Sequence, residues 1–475
     1  MVFSSASFLF FFLPAVLALY HLAPRRARNG VLLAFSLVFY AWGAGTFTLV
    51  LVASIAANFV VGLKVERAMD AGLAGRARAW LAAGVALNVG LLGYFKYANL
   101  AVATWDAALA AAGIPAVPWA PVLLPIGISF YTFHAISYLV DIYRGTARHL
   151  VQPVDFGLYI LFFPQLIAGP IVRFHEIRDQ LVERRETWAA FSAGLYRFSL
   201  GLGKKVLIAD SVAPIVNAVF GMPADQLNLA SALLGLVAYT VQLYFDFSGY
   251  SDMALGLGLM VGIRLPGNFD RPYAARSITE FWRRWHMSLS RWFRDYLYIP
   301  LGGNRGSTAR TYRNLIIVFL VTGLWHGANL TFVVWGAYHG ALLILERVAG
   351  VGRSAAPRRA LPWQPMTIVL VMAGWVVFRS PTVAYAIEYF GAFGRLHRSI
   401  PIGVSQAADP IALIALVIGC ASVLLPGWFV AGRVIERADG IPSRVLRLVA
   451  IGVLLPASIV LISASGFSPF LYFQF

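Results

Sequence analysis

The run Asn314–Arg347 reads NLIIVFLVTGLWHGANLTFVVWGAYHGALLILER. About 20 apolar residues in a helix cover the hydrocarbon core of a bilayer, so this run is long enough for two crossings, near 314–330 and 331–347. It is almost wholly apolar, and its interior is interrupted by His326, Asn329 and His339. An ionisable group at membrane depth is costly and marks function more often than packing. His326 stands in Gly323-Leu324-Trp325-His326-Gly327-Ala328-Asn329, where the flanking glycines let another helix or a ligand approach the imidazole. The competing reading is a hydrogen bond to a neighbouring helix. Position favours function for His326, and packing for His339 near the end of the run.

The rest of the chain repeats the pattern. Of 475 residues, 59% are hydrophobic and only 12% charged, against about 25% charged in soluble domains. Mean hydropathy is +0.73. Spans are expected near 3–21, 29–45, 47–63, 79–97, 121–143, 228–247, 314–330, 331–347, 364–379, 410–429 and 446–465. No alternating segments suggest a barrel, so the spans are read as helices. The expected fold is all-α: a polytopic membrane protein of about 11 transmembrane helices. The stretches 155–171, 191–209 and 250–264 mix Gly, Pro and charge and read as re-entrant or interfacial. The chain has no internal repeat and reads as one membrane domain over 1–475, with its chemistry-bearing core at about 120–347. Segments 172–190, 350–363 and 393–409 are polar connections.

Charge sets the orientation. Met1–Ala18 carries no charge, unlike the basic start of a secretory signal, so the first run is read as a retained span. Arg25, Arg26 and Arg28 follow it, then Lys64, Arg67, Arg76 and Arg78, then Arg144 and Arg148. Each group falls in a loop that is cytoplasmic if the N-terminus lies outside. The net charge of +17 then reflects arginines anchored at an anionic leaflet rather than a nucleic-acid partner. Cys420 is the one cysteine, so no disulfide forms within the chain, and its apolar surroundings suit a structural thiol.

Three further stretches bear chemistry. Phe281–Tyr296 (FWRRWHMSLSRWFRDY) plotted as a helix puts Phe281, Trp285, Trp292 and Tyr296 on one stripe, with Arg283, Arg284, Arg291 and Arg294 opposite. It reads as an interfacial helix with aromatics at the headgroups and His286 at the edge of the apolar face. Its arginines could also hold a phosphorylated donor. In Gln242–Asp252, Gln242 and Asp246 share a helix face, Gly249 permits a break, and Asp246 and Asp252 could orient a histidine or bind a cation. The alternative there is a helix end capped by Ser248 or Asp252. In Phe163–Ile171 two prolines and a glycine surround Gln165, and irregular backbone at membrane depth must line a cavity or be buried in protein. There is no Gly-x-Ser-x-Gly elbow, Walker loop, His-Glu-x-x-His motif or other metal-ligand spacing.

Taken in order, these residues resemble the membrane-bound O-acyltransferase superfamily, and closely its bacterial alginate O-acetyltransferase branch. The resemblance runs from Val2-Phe3-Ser4-Ser5 through Pro125–Phe133, Phe163–Pro170, Tyr244–Asp252, Ser277–His286, Asp295–Arg305 and Gly323–Asn329 to Tyr472–Phe475. It implies that His326 matches the family's catalytic histidine and His286 its second characteristic position. It also implies helices around a central cavity. Asn329, Trp325, Asp246, Asp252, Arg283, Arg284 and Gln165 are read from their own stretches as supporting the site or binding substrate. The implied donor is a cytoplasmic acyl thioester such as acetyl-CoA, with no tightly bound cofactor and no metal. The implied acceptor is an exported polysaccharide, with an exported acetyltransferase as partner and the bacterial inner membrane as location. His134 departs from the glutamine of many relatives, and the region after Arg379 is short. D-alanyl transfer to teichoic acid is the rival within the family. A non-catalytic acyl or polysaccharide transporter is the rival outside it, although transporters commonly carry repeats.

The orientation is open to a direct test. In a background lacking Cys420, cysteines placed at Arg26 and Arg76 should resist a membrane-impermeant thiol reagent in intact cells. Labelling of both from outside would reverse the topology.

Overall fold

A computed structural model describes residues 1–351, 363–396, 399–423, 425, 431–436, 440–465 and 470. Most of the 350–363 connection, the end of the 410–429 run and the tail Tyr472–Phe475 lie outside the described residues. The described residues contain helices and no strand. Two compact units make up the chain: Met1 with Phe12–Arg185, and Val2–Phe11 with Glu186–Phe475.

The first unit holds α1 (Leu13–Leu22), α2 (Arg28–Ala44), α3 (Phe47–Asp70), α4 (Ala74–Ala111) and α5 (Ile128–Tyr143). At 1.5 Å per residue the 38 residues of α4 extend about 57 Å, well past the expected 79–97 run. α5 begins only at Ile128, because Gly127 takes a left-handed turn at φ 74° and Pro121 and Pro125 precede it. Short helices follow: α6 (Pro153–Leu161), α7 (Phe163–Leu166) and the surface helix α8 (Phe174–Val182). The Pro/Gly stretch is irregular as expected, and it is buried in protein throughout Phe162–Phe174. Its backbone polarity is met internally: the Tyr159 hydroxyl donates to the carbonyl of Val172, and His134 Nε2 accepts the Val172 N–H at 3.3 Å. His134 therefore holds this segment in place. Gln165, fully buried here, donates from Nε2 to the Tyr159 carbonyl.

The second unit holds α9 (Trp188–Gly203), running on through a π-turn into α10 (Asp210–Phe220), and α11 (Leu229–Met260). The expected break at Gly249 does not occur. α11 is continuous for 32 residues from its true cap at Asn228, and Ser248 and Asp252 lie inside it. Gly249 instead marks where α9 crosses. A Cβ there would stand 2.8 Å from the Gly201 carbonyl oxygen, and one on Gly201 would stand 2.5 Å from that of Gly249. Small residues allow this backbone contact, as in helix pairs that pack within lipid. The N-terminal segment joins the same unit, with Phe3 stacked on Tyr250 of α11 at 4.7 Å between centroids.

Next come α12 (Ile278–Arg284), α13 (Met287–Phe293), α14 (Thr308–His326), α15 (Leu330–Val348) and α16 (Trp363–Arg379), then helices at Val383–Gly391, Pro410–Val423 and Ile441–Val449. Among the described residues, four helical stretches can cross a bilayer by length and composition, Phe47–Asp70, Ala74–Ala111, Leu229–Met260 and Ile441–Ala464, and shorter apolar helices accompany them.

Gly249→Ala should force α9 and α11 apart and cost about 1–3 kcal/mol as overpacking. Thermal denaturation of the purified protein measures it. Gly93→Ala, inside α4 with open space around its Cβ position, should hold or slightly raise the melting point.

Candidate active site

The site is built around the α14–α15 hairpin. Gly323 of α14 packs on the Phe332 carbonyl and Gly336 of α15 on that of Phe319, so the two backbones touch. α14 stops abruptly at His326 because Gly327 is fully extended. Asn329 then caps α15: its Oδ1 accepts from Thr331 N at 3.1 Å and its Nδ2 donates to the Pro381 carbonyl at 2.8 Å. Each end of that amide has a protein partner, and Asn329 shapes the turn.

His326 is partly exposed. Its ring meets Trp335 edge-on at 5.2 Å and Phe378 at 5.1 Å, with Phe332 at 6.4 Å. Trp325, buried beside it, also lies 6.1 Å from the ring of His286. The two histidines, forty positions apart in the chain, thus touch one indole.

His286 does not ride on a continuous amphipathic helix. α12 ends at Arg284, Trp285 is extended, and His286 takes a left-handed conformation at φ 43° before α13 begins. Non-glycine residues adopt this conformation at a cost, and it clusters at functional sites. The segment 268–270 holds the break in place. Met287 N donates to the Asn268 carbonyl, Asp270 N donates to the Arg284 carbonyl, and Asn268 Oδ1 lies 3.1 Å from His286 Nδ1. Asn268, in the loop Pro266-Gly267-Asn268-Phe269-Asp270, carries no sequence signal beyond that of a turn. The aromatic stripe faces protein, not headgroups: Phe281, Trp282, Trp285, Trp292 and Phe293 are all buried, and Trp285 packs on Phe269 and Trp375. The same spacing serves a core as well as an interface.

His339 is fully buried. It accepts from Trp282 Nε1 at 3.4 Å and faces Gly374 of α16, which agrees with packing. Between α13, α14 and α15 lies a cleft of about 800 Å³, floored by Phe319 and Thr322 and rimmed by Arg283, Arg291, Arg294 and Arg347. Thr322 precedes His326 by one helical turn. Arg291 is tied to the Met287 and Gly267 carbonyls and Arg294 to Asp295. Arg283 is exposed on the rim. Arg284 lies elsewhere, paired with Glu280 at 2.6 Å.

The two acidic residues each have cationic partners among the described residues. Asp246 pairs with buried Lys205 at 2.8 Å, and Lys205 also pairs with Asp210. Asp252 pairs with Arg197 at 3.0 Å and with Lys204, beside a cavity of about 120 Å³ that Asn268 also lines. The charges are neutralised within the protein. Gln165 belongs to the other unit.

Comparison with known proteins matches residues 127–380 to the family model of the membrane-bound O-acyltransferases. The chain belongs to the membrane-bound O-acyltransferase family. It is 44% identical to a probable alginate O-acetylase of Azotobacter vinelandii and to one of Pseudomonas putida, over the full length of each chain. It is 36% identical to a peptidoglycan O-acetyltransferase of Helicobacter pylori, over 82% of this chain and 79% of that one. The chain is thus an acyltransferase, and its matched segment contains both His286 and His326.

Removing one member of a buried ion network leaves an uncompensated charge. Lys205→Met should therefore lower stability by about 3–5 kcal/mol, read by thermal denaturation. Lys205→Met with Asp246→Leu should recover much of the loss, as expected if the network is structural.

Proposed function

We propose that this protein transfers an acetyl group from a cytoplasmic acyl thioester, such as acetyl-CoA, to enable O-acetylation of an exported, alginate-like polysaccharide, with His326 as general base. The observation that carries the reading is the placement of His326. It ends α14 abruptly, stays partly exposed among Trp325, Trp335 and Phe378, and lies one turn beyond the floor of the arginine-rimmed cleft. The relatives named as alginate O-acetylases and peptidoglycan O-acetyltransferase support a glycan hydroxyl as the final acceptor.

The chemistry asks little of the protein beyond placement and proton transfer. As the acceptor oxygen forms a C–O bond to the thioester carbonyl carbon, its proton passes to His326. Collapse of the tetrahedral intermediate breaks the C–S bond, and the departing thiolate recovers the proton. The histidine is regenerated, leaving an O-acetyl ester and a free thiol. Such proton transfer contributes about 10²–10⁴-fold. The rim arginines suit the phosphates of the donor, since guanidinium–phosphate pairing is directional and strong. His286 assists from the far side of Trp325. An exported acetyltransferase receives the acetyl group outside, and the protein lies in the inner membrane with its N-terminus outside.

His326→Ala should reach the membrane at a normal level and lose acetyl transfer by about 10²-fold or more in reconstituted vesicles. His339→Ala, which alters only packing, should retain substantial activity. A folded His326→Ala protein that acetylates at near the wild-type rate would refute this mechanism and favour a transporter. D-alanyl transfer would instead show as incorporation of D-alanine from a carrier-protein thioester.

A further inference from the structure

Asn268 Oδ1 receives three groups: the backbone N–H of Ser288 at 3.2 Å, the Ser288 hydroxyl at 2.9 Å and Nδ1 of His286 at 3.1 Å. Its Nδ2 donates to the Ser251 hydroxyl at 3.2 Å. A backbone N–H can only donate, so the Ser288 contact fixes which end of the Asn268 amide is the oxygen. That oxygen can only accept, so the proton of a neutral His286 ring must sit on Nδ1. Nε2 is then the lone-pair nitrogen. It is buried and has no hydrogen-bond partner among the described residues, and the residue as a whole is 1% exposed. The strained backbone at φ 43° holds the ring there.

We propose that Asn268 is a positioning residue that locks His286 in the Nδ1–H tautomer, so that Nε2 serves as a buried hydrogen-bond acceptor for an O–H group of the substrate. The catalytic part of this inference rests on the acetyl-transfer reading above, but the tautomer does not. The Phe247 ring, edge-on to His286 at 4.7 Å, and Trp325 make the surrounding walls. Phe247 carries no polar atom and the indole of Trp325 only a donor, so the amide oxygen is the strong acceptor that decides which nitrogen carries the proton. Removing the hydrogen-bond partner that orients a metal-bound histidine typically changes activity about 10–100-fold, and a similar size is expected here.

The tautomer can be read without turnover. The purified full-length protein is labelled with ¹⁵N-histidine, and the His286 signal is assigned by its loss in His286→Ala. The wild type should show a protonated Nδ1. Asn268→Ala should shift the ring toward Nε2–H, whereas Asn268→Asp, which keeps an accepting oxygen, should retain Nδ1–H. An Nε2–H ring in the wild type would overturn the proposal even if Asn268→Ala failed to fold, as would an unchanged tautomer in a folded Asn268→Ala protein. In acetyl-transfer assays Asn268→Ala should lower kcat about tenfold or more. Adding it to His286→Ala should cost nothing further, because Asn268 acts through that ring. A further additive loss would show a separate structural role and refute the positioning one.

Discussion

Backbone contact between α14 and α15 is the constraint from which the site follows. Gly323 and Gly336 leave no room for a Cβ on either side, so the two helices meet without intervening side chains. Hydrophobic exclusion supplies little drive between helices that share a lipid solvent, and close packing must do the work instead. The hairpin therefore has a fixed register, and with it a fixed end to α14. An extended Gly327 and a cap at Asn329 turn the chain within three residues, which leaves His326 at a helix terminus among rings from α15 and α16.

The polar interior is organised on a second principle. Buried charge is tolerated where its partner is already built in. Lys205 with Asp246 and Asp210, and Asp252 with Arg197 and Lys204, are complete without any ligand. His286 is different: one nitrogen is engaged by Asn268 while the other lacks a partner among the described residues. The separation is useful. Networks that are satisfied hold the helices, and under the proposal above the open nitrogen of His286 is left for substrate.

Much of this was legible in the sequence because lipid punishes exceptions. An imidazole inside an apolar run stands out, so the buried packing of His339 could be read directly, as could the irregular Pro/Gly segment around Gln165. What could not be read were features whose one-dimensional pattern has two physical meanings. Gly249 looks like a helix break and like a contact point, and only the presence of Gly201 across from it decides. An aromatic stripe every third or fourth residue suits a membrane interface and a protein core alike, and Trp285 turned out to face Phe269 and Trp375. Asn268 was invisible because its partner lies 18 positions away across a broken helix.

The stacking of Phe3 on Tyr250 bears on how the molecule is made. Residues 2–11 belong to the unit that otherwise begins at Glu186, so Phe3 meets Tyr250 only after roughly 250 further residues have been made. At about 5–20 residues per second the wait is on the order of 10–50 s. During that time the bulk of the other unit is synthesised, and the second unit is completed only when residues 2–11 dock on α11.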